Sequence, residues 1–305
     1  MDLSIVIVSY NTREFLRACL TSVRESLARS PGLHAETFVV DNASGDGSPA
    51  MVAAEFPEVK LIVNAENRGF AAANNLAIRQ AGGRHVLLLN ADTVVRGDAL
   101  AQLVALLDRN PRVGAAGPRL LNPDGTRQQS VFRFPTLWMS LFDFFPLNHR
   151  LVNSRLNGRY PERWHEHVFP VDHPLGACLI VRRAAIDQVG LLDEGFFMYC
   201  EEVDWCLRIR QAGWEILYTP AAEVVHYGGQ STAQFRHRMF VELQRSRLRF
   251  FRKHYGRPFV WAHRLIVALG LAREALVAWW AVRSGRLAGC EFRERLATYW
   301  QIVRL

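Results

Sequence analysis

The chain has 305 residues, 50% of them hydrophobic and 22% charged, with a formal net charge of +8. That is room for one large domain with an appendage or for two ordinary ones, and too apolar for a disordered chain. Residues 231–305 hold 15 Lys+Arg against 4 Asp+Glu, a net of +11, while the remainder is net −3. Such a tail suits an anionic membrane face or an anionic substrate; it carries no DNA- or RNA-binding motif, so nucleic acid is not an expected partner.

Residues 3–8 form a short apolar, β-branched run without the basic start of a signal peptide, and read as a first strand. Thr12 is a candidate N-cap for an amphipathic helix carrying Phe15, Leu16, Leu20, Val23 and Leu27. Residues 36–41 read as a second strand and 42–47 as a loop. The run Gly45-Asp46-Gly47-Ser48-Pro49-Ala50 fits a dinucleotide fingerprint only superficially. Its strand ends four residues too early, Pro49 interrupts it, and Asp46 would repel a pyrophosphate. Residues 59–63 give a third strand, 69–81 an Ala-rich helix and 84–90 a fourth strand. Repeated βα units predict an α/β fold, Rossmann-like, with a mainly parallel central sheet and helices on both faces.

Asn122-Pro123-Asp124-Gly125 is a turn, and residues 130–170 are aromatic and irregular, either a hydrophobic cluster or an acceptor-binding region. Regular structure returns with a strand at 176–181 and a helix at about 201–212 stopped by Gly213. A strand pair follows at 215–218 and 223–226, and from Gln234 the pattern is helical. Residues 259–282 are mostly apolar, but His263, Arg264, Arg273 and Glu274 interrupt them. A charge near a bilayer centre costs about 2.5–3.5 kcal/mol on insertion scales. With Trp261, Trp279 and Trp280, this stretch suits an interfacial or core-packed helix better than a spanning one. The five cysteines (Cys19, Cys178, Cys200, Cys206 and Cys290) contain no C-x-x-C pair, which points to reduced thiols in the cytoplasm.

Ligands of open α/β sheets bind beyond the carboxyl ends of the strands. Short polar residues fall there: Ser9, Tyr10 and Asn11, then Asp41 and Asn42, then Asn90 and Asp92. A strand-end carboxylate such as Asp92, facing a diphosphate, can hold Mg2+ or Mn2+ with a few waters and offset charge on a departing nucleotide; the alternative is a turn or cap residue. Glu201, Glu202 and Asp204 fall in the first turn of a helix, where the dipole favours acids in any case. Asp204 and Arg208 are spaced for an ordinary salt bridge, so Asp204 is the weakest catalyst of the three. Glu202 can take a proton from an incoming hydroxyl. His226, ahead of Gly228-Gly229, is either structural or an imidazole ligand that would shift metal preference toward Mn2+.

Six motifs in order resemble the family 2 inverting glycosyltransferases: Ser4-Ile5-Val6-Ile7-Val8-Ser9-Tyr10-Asn11, Val40-Asp41-Asn42-Ala43-Ser44, Asn67-Arg68-Gly69-Phe70-Ala71 with Asn74-Asn75, Leu89-Asn90-Ala91-Asp92-Thr93, residues 201–208, and His226. The resemblance runs from residue 3 to about 232 and is closest to the rhamnosyltransferase-like branch of bacterial surface-polysaccharide synthesis. It implies a GT-A domain over 1–232 with a basic, amphipathic helical extension over 233–305, a nucleotide diphosphate sugar donor (a dTDP- or UDP-sugar) and a divalent metal. By the same resemblance Asp41 contacts the base or ribose with Ser9, Asn11 and Arg68 nearby, and Asn42, Asn74 and Asn90 are further donor-binding candidates. Asp92 and His226 are the implied metal ligands, and Glu202 the implied base, with Glu201 and Asp204 as accompanying acids. The expected acceptor is a glycan or polyprenyl-diphosphate-linked hydroxyl, reached from the cytoplasm; the basic tail with Trp261, Trp279 and Trp280 reads as peripheral attachment to the inner membrane face. Two departures stand out: Asn90 and Glu202 each occupy a position where many relatives have Asp. They favour, as the alternative, a non-catalytic relative that binds a nucleotide sugar or glycan.

Overall fold

A computed structural model describes residues 1–145, 148–229 and 235–305. In chain order the elements are β1 (Leu3–Ser9), α1 (Arg13–Ala28), β2 (Ala35–Asp41), α2 (Ser48–Glu55), β3 (Lys60–Val63), α3 (Phe70–Ile78), β4 (His85–Asn90), β5 (Thr93–Val95), α4 (Ala99–Arg109) and β6 (Val113–Leu121). There follow β7 (Arg127–Gln128), β8 (Val131–Phe132), α5 (Leu137–Phe144), α6 (His149–Val152), β9 (Phe169–Pro170), β10 (His173–Pro174), β11 (Cys178–Arg182) and α7 (Arg183–Val189). The chain then forms α8 (Glu201–Gln211), β12 (Glu215–His226), α9 (Arg236–His254), α10 (Arg257–Arg283) and α11 (Gly289–Val303).

Two compact units result. The first takes in residues 1–133, 162–197 and 201–229; the second takes in Phe134–Pro161, Met198–Cys200 and Phe235–Leu305. The first unit is built on a sheet of order β3-β2-β1-β4-β11-β6-β12-β5, with β7 beside β6 and β9 beside β12. Strands β3, β2, β1 and β4 are parallel; β11 runs against both β4 and β6, and β5 runs against β12. The mainly parallel sheet therefore holds. In β1, Leu3, Ile5, Val6 and Ile7 are all buried, because helices cover both faces of a central strand. Leu3, Ile5 and Ile7 share one core with Leu16, Leu20 and Val23 of α1 and Leu100, Leu103 and Leu107 of α4. Helix α3 packs on β1 and β2 through residues outside that cluster.

The second unit is helical. Phe144 of α5, Val241 of α9, Val267 and Leu271 of α10 and Ile302 of α11 form its core. The expected boundary at 232/233 lies outside the described residues. The segment 134–161 goes with the helices rather than with the sheet, which a single cut along the chain does not convey. Where two strands were expected at 215–218 and 223–226, β12 is continuous, with a register irregularity between Thr219 and Glu223 where Pro220 sits. A bulge lets a proline stay within a strand instead of ending it.

Candidate active site

Parallel pairing sets the strand ends side by side: Ser9 is in register with Asp41, and Val8 with Asn90. Asp41 is buried; its Oδ2 accepts the Ser44 amide at 2.8 Å, whereas Oδ1 has no hydrogen-bond partner. A buried carboxylate oxygen left in this state is costly unless something donates to it, which suits a ligand hydroxyl or a base N–H. Asn11, at φ 52°, accepts the Gly45 amide at 2.8 Å, and its own amide donates to Ser44 Oγ at 2.9 Å. Asp46 accepts the Arg13 amide at 2.8 Å and the Ser48 amide at 3.0 Å, so it fastens the starts of α1 and α2 and leaves no phosphate cradle.

Ser9 is wholly buried. Its hydroxyl is 3.1 Å from that of Thr12, and its carbonyl accepts the Asn42 amide at 2.8 Å, so Ser9 braces the strand ends. Asn42 donates to the Gly69 carbonyl at 3.1 Å and accepts from Asn64 Nδ2 at 2.8 Å, fixing the loop that carries the exposed Arg68. Gly69 sits at φ 83° against Phe197, whose carbonyl accepts the Phe70 amide at 2.8 Å. A Cβ at Gly69 would collide with that carbonyl and lie 2.9 Å from the Phe197 ring, so only glycine fits. Asn74 donates to the Phe70 carbonyl at 2.9 Å, and its buried Oδ1 has no partner.

Asp92 follows β4, and His226 ends β12, where it pairs in register with Thr93. The Tyr227 amide donates to the Asp92 carbonyl at 3.0 Å, and His226 Nε2 lies 3.5 Å from Asp92 Oδ1. Gln128 fixes the imidazole. Its Nε2 donates to Asn122 Oδ1 at 2.9 Å and to the His226 carbonyl at 3.1 Å, so its Oε1 faces His226 Nδ1 at 2.8 Å. Nδ1 must then carry the proton, and the Nε2 lone pair, buried and without a hydrogen-bond partner, faces Asp92. One carboxylate and one imidazole in this relation fit a divalent cation. Among the described residues no group of three or more His, Cys, Asp or Glu is placed to hold one, so the remaining positions would fall to donor oxygens and water.

Glu201 and Glu202 are both buried at the start of α8. Burial raises both carboxyls, and the Glu202 charge pushes Glu201 well above the ordinary carboxylate range. The backbone amides of Glu202, Val203 and Gly176 act the other way on Glu202 and stabilise its carboxylate. Gly176 leaves room for it, since a Cβ there would be 3.4 Å from Glu202 Cγ. The Asn90 amide donates to Ala177 at 2.9 Å, tying the end of β4 to the turn beside Glu202. Asp204 is different. Its Oδ2 takes Arg208 Nε at 2.9 Å, and the other Arg208 nitrogens hold the Val189 and Leu191 carbonyls, so Asp204 serves the fold of α8. Among the described residues, the non-glycine residues at positive φ are Asn11, Ala43, Tyr199 and Cys200. Asn11 and Ala43 follow β1 and β2 at the carboxyl edge of the sheet, where backbone strain often marks a working site.

Sequence reasoning missed Gln128, a polar residue in a two-residue strand that no motif marks. It also gave no part to Asn75, which grips the Leu192 carbonyl and Glu194 Oε1, both at 2.9 Å.

Fold and strand-end geometry define the class: an α/β protein of the GT-A type with ligand-facing polar groups at the carboxyl edge of its sheet, followed by a helical region. Residues 4–190 match glycosyl transferase family 2, and the chain belongs to that family as a glycosyltransferase. It is 32% identical to the N-acetylglucosaminyl-diphospho-decaprenol L-rhamnosyltransferase of Mycobacterium tuberculosis, over 76% of this chain and 78% of that one. Identity to the dTDP-rhamnosyl transferase RfbF of Shigella flexneri is 24%, over 75% and 70% of the two chains. The fold is similar to that of the mannosyltransferase PcManGT of Pyrobaculum calidifontis, solved with GDP-Man and Mn2+. There the TM-score is 0.58 at 19% identity, covering 99% of this chain and 84% of that one.

Proposed function

We propose that this glycosyltransferase moves a rhamnosyl group from a nucleotide diphosphate donor, dTDP-rhamnose foremost, to a hydroxyl of a lipid-linked glycan, inverting the anomeric centre. The observation that carries the reading is the Asp92–His226 pair, whose imidazole lone pair is kept open by Gln128; the buried Glu202, beside the Gly176–Ala177 turn that holds the end of β4, is the candidate base. The named rhamnosyltransferase relatives support the choice of sugar, and the lipid-linked substrate in the Mycobacterium tuberculosis enzyme's name supports the choice of acceptor.

Asp41 Oδ1, buried and unpaired, accepts from the nucleoside of the donor, with Asn11 and Asn42 holding its loops and Arg68 exposed beside them. Asp92 and His226 would hold Mg2+ or Mn2+, which when bound supplies positive charge against the leaving diphosphate. Glu202 takes the proton of the acceptor hydroxyl. The oxygen forms its bond to the anomeric carbon as the bond to the diphosphate breaks on the opposite face, and the electron pair leaves with the nucleotide. Burial and the neighbouring Glu202 charge favour the neutral form of Glu201 beside it. Asp204 stays a structural anchor, and the reaction runs on the cytoplasmic side, where donor and carrier lipid meet.

The test is nucleotide release from dTDP-rhamnose, UDP-hexoses and GDP-mannose, with and without Mn2+ or Mg2+, beside Asp92→Ala. Metal-dependent release from one donor, lost in the variant, is the expected result. Binding without release, even with lipid-linked glycans added, would instead favour the non-catalytic relative that the Asn90 and Glu202 departures suggest.

A further inference from the structure

Helix α10 is, among the described residues, the helix that is long and apolar enough to cross a membrane. Its packing rules out that orientation. Val267, Gly270, Leu271 and Ala278 are buried within the helical unit. Gly270 lies so close to Phe144 that a Cβ would collide with the ring. His263 Nδ1 is 3.0 Å from Ser140 Oγ, and Arg273 donates to the Phe144 carbonyl at 3.2 Å. A helix held on α5 along one face has only the other face to offer lipid.

That other face is apolar. Trp261, Leu265, Leu269, Leu276 and Trp280 are 69%, 61%, 55%, 63% and 65% exposed, and their spacings of four and seven put them in one stripe. Helix α11 adds Leu296, Trp300 and Val303, also exposed and spaced four and three apart. Trp261 and Leu265 also wall an apolar cavity of about 280 Å3 with Leu248, Ala268 and Ile302, which extends the apolar surface inward. Single exposed apolar residues need no explanation, but a continuous run of large ones marks a contact surface.

Charge selects the occupant. Arginines lie over the exposed tryptophan rings: Arg264 over Trp261 at 5.7 Å, Arg283 over Trp279 at 5.2 Å and Arg304 over Trp300 at 4.6 Å. Guanidinium groups therefore rim the stripe. A second copy docking stripe to stripe would bring two net +11 tails together, whereas an anionic bilayer offers hydrocarbon below and phosphate at the height of the arginines. We infer that α10 and α11 seat this protein flat on an anionic membrane surface, with the stripe in the acyl boundary and the arginines among the headgroups. This extends the reading that the acceptor is lipid-linked, and its test does not depend on catalysis.

The full chain is sedimented with phosphatidylcholine vesicles and with vesicles containing phosphatidylglycerol. Binding to the anionic vesicles is expected to be about tenfold tighter or more and to weaken with salt. Leu265→Glu with Leu276→Glu, at exposed positions, should cut it by about tenfold or more, while circular dichroism and donor binding stay unchanged. Arg264→Gln with Arg283→Gln should weaken the salt-sensitive part alone. The inference is overturned if the Leu variant binds as the parent does, if phosphatidylcholine vesicles bind the parent as tightly as anionic ones, or if the stripe drives dimers that ignore vesicles. Donor-dependent nucleotide release with a soluble acceptor is read in parallel, so loss of membrane binding and loss of transferase activity are distinguished.

Discussion

Replacing Gln128 by Leu removes the acceptor that keeps the proton on His226 Nδ1. The imidazole can then turn or change tautomer, and Nε2 no longer presents a lone pair to the side of Asp92. Losing an orienting partner of this kind costs about 10–100-fold in metal affinity, or about 1.4–2.8 kcal/mol. The substitution also removes the bonds from Gln128 to Asn122 at 2.9 Å and to the His226 carbonyl at 3.1 Å. With the lost bond from His226 Nδ1 that makes three, and at about 1 kcal/mol each folding should weaken by about 3 kcal/mol, which lowers Tm by about 6–12 °C in a domain of this size. Gln128→Glu separates the two effects. A carboxylate still accepts from Nδ1 but donates to neither oxygen, so Tm should fall by about two thirds as much while metal affinity is kept. Calorimetric titration of Mn2+ in the presence of dTDP reads the affinity, and thermal melts read the folding cost. Unchanged Mn2+ affinity in Gln128→Leu, or equal losses in the Leu and Glu variants, would refute the reasoning.

Other predictions concern strain, titration and packing. Gly69→Ala should lose about 2–6 kcal/mol in a denaturant melt, combining a glycine-only backbone conformation with a clash against Phe197; a loss below about 1 kcal/mol would show that the loop relaxes freely. The raised carboxyls of Glu201 and Glu202 keep their protons in the folded chain where the unfolded chain has released them. Their contribution to stability is therefore complete below the ordinary carboxylate range and is lost as pH rises through the higher folded values. Glu201→Gln should accordingly raise Tm at pH above that range and flatten its pH dependence, measured by melts across a pH series. The acid limb of kcat/KM should lie above the ordinary carboxylate range, because Glu202 must be ionised to act. In the helical unit, Gly270→Leu should separate α10 from α5 and lower Tm, whereas Leu276→Ala, on the exposed face, should leave it within a degree or two.

The strands β1, β2 and β4 were legible because each is a short apolar run ending on a polar residue, and parallel pairing then sets Ser9, Asp41 and Asn90 at one edge without further information. Asp92, Glu202 and His226 were legible as residue types in motifs, but not their partners. Gln128 and His226 are 98 residues apart, and nothing local in a two-residue strand signals that pairing. β6 escaped notice because Gly114, Gly117 and Pro118 break its apolar pattern, although β12 and β11 pair with it on either side. The stretch 215–226 read as two strands, because Pro220 interrupts its pattern and a single sequence does not reveal that a bulge will absorb it. The 134–161 segment read as irregular because its aromatic residues find their core in helices a hundred residues later, with Tyr255 donating to the Pro135 carbonyl at 3.0 Å.

The most direct measurement of the central claim is single-turnover rhamnosyl transfer from dTDP-rhamnose to a polyprenyl-diphosphate-linked glycan by the parent chain and by Glu202→Gln, with donor affinity measured on both. The rate of transfer should fall by about 10²–10⁴-fold in Glu202→Gln with donor affinity unchanged, and the parent's product should have inverted configuration. Transfer at an undiminished rate in Glu202→Gln, or a product with retained configuration, would contradict that claim.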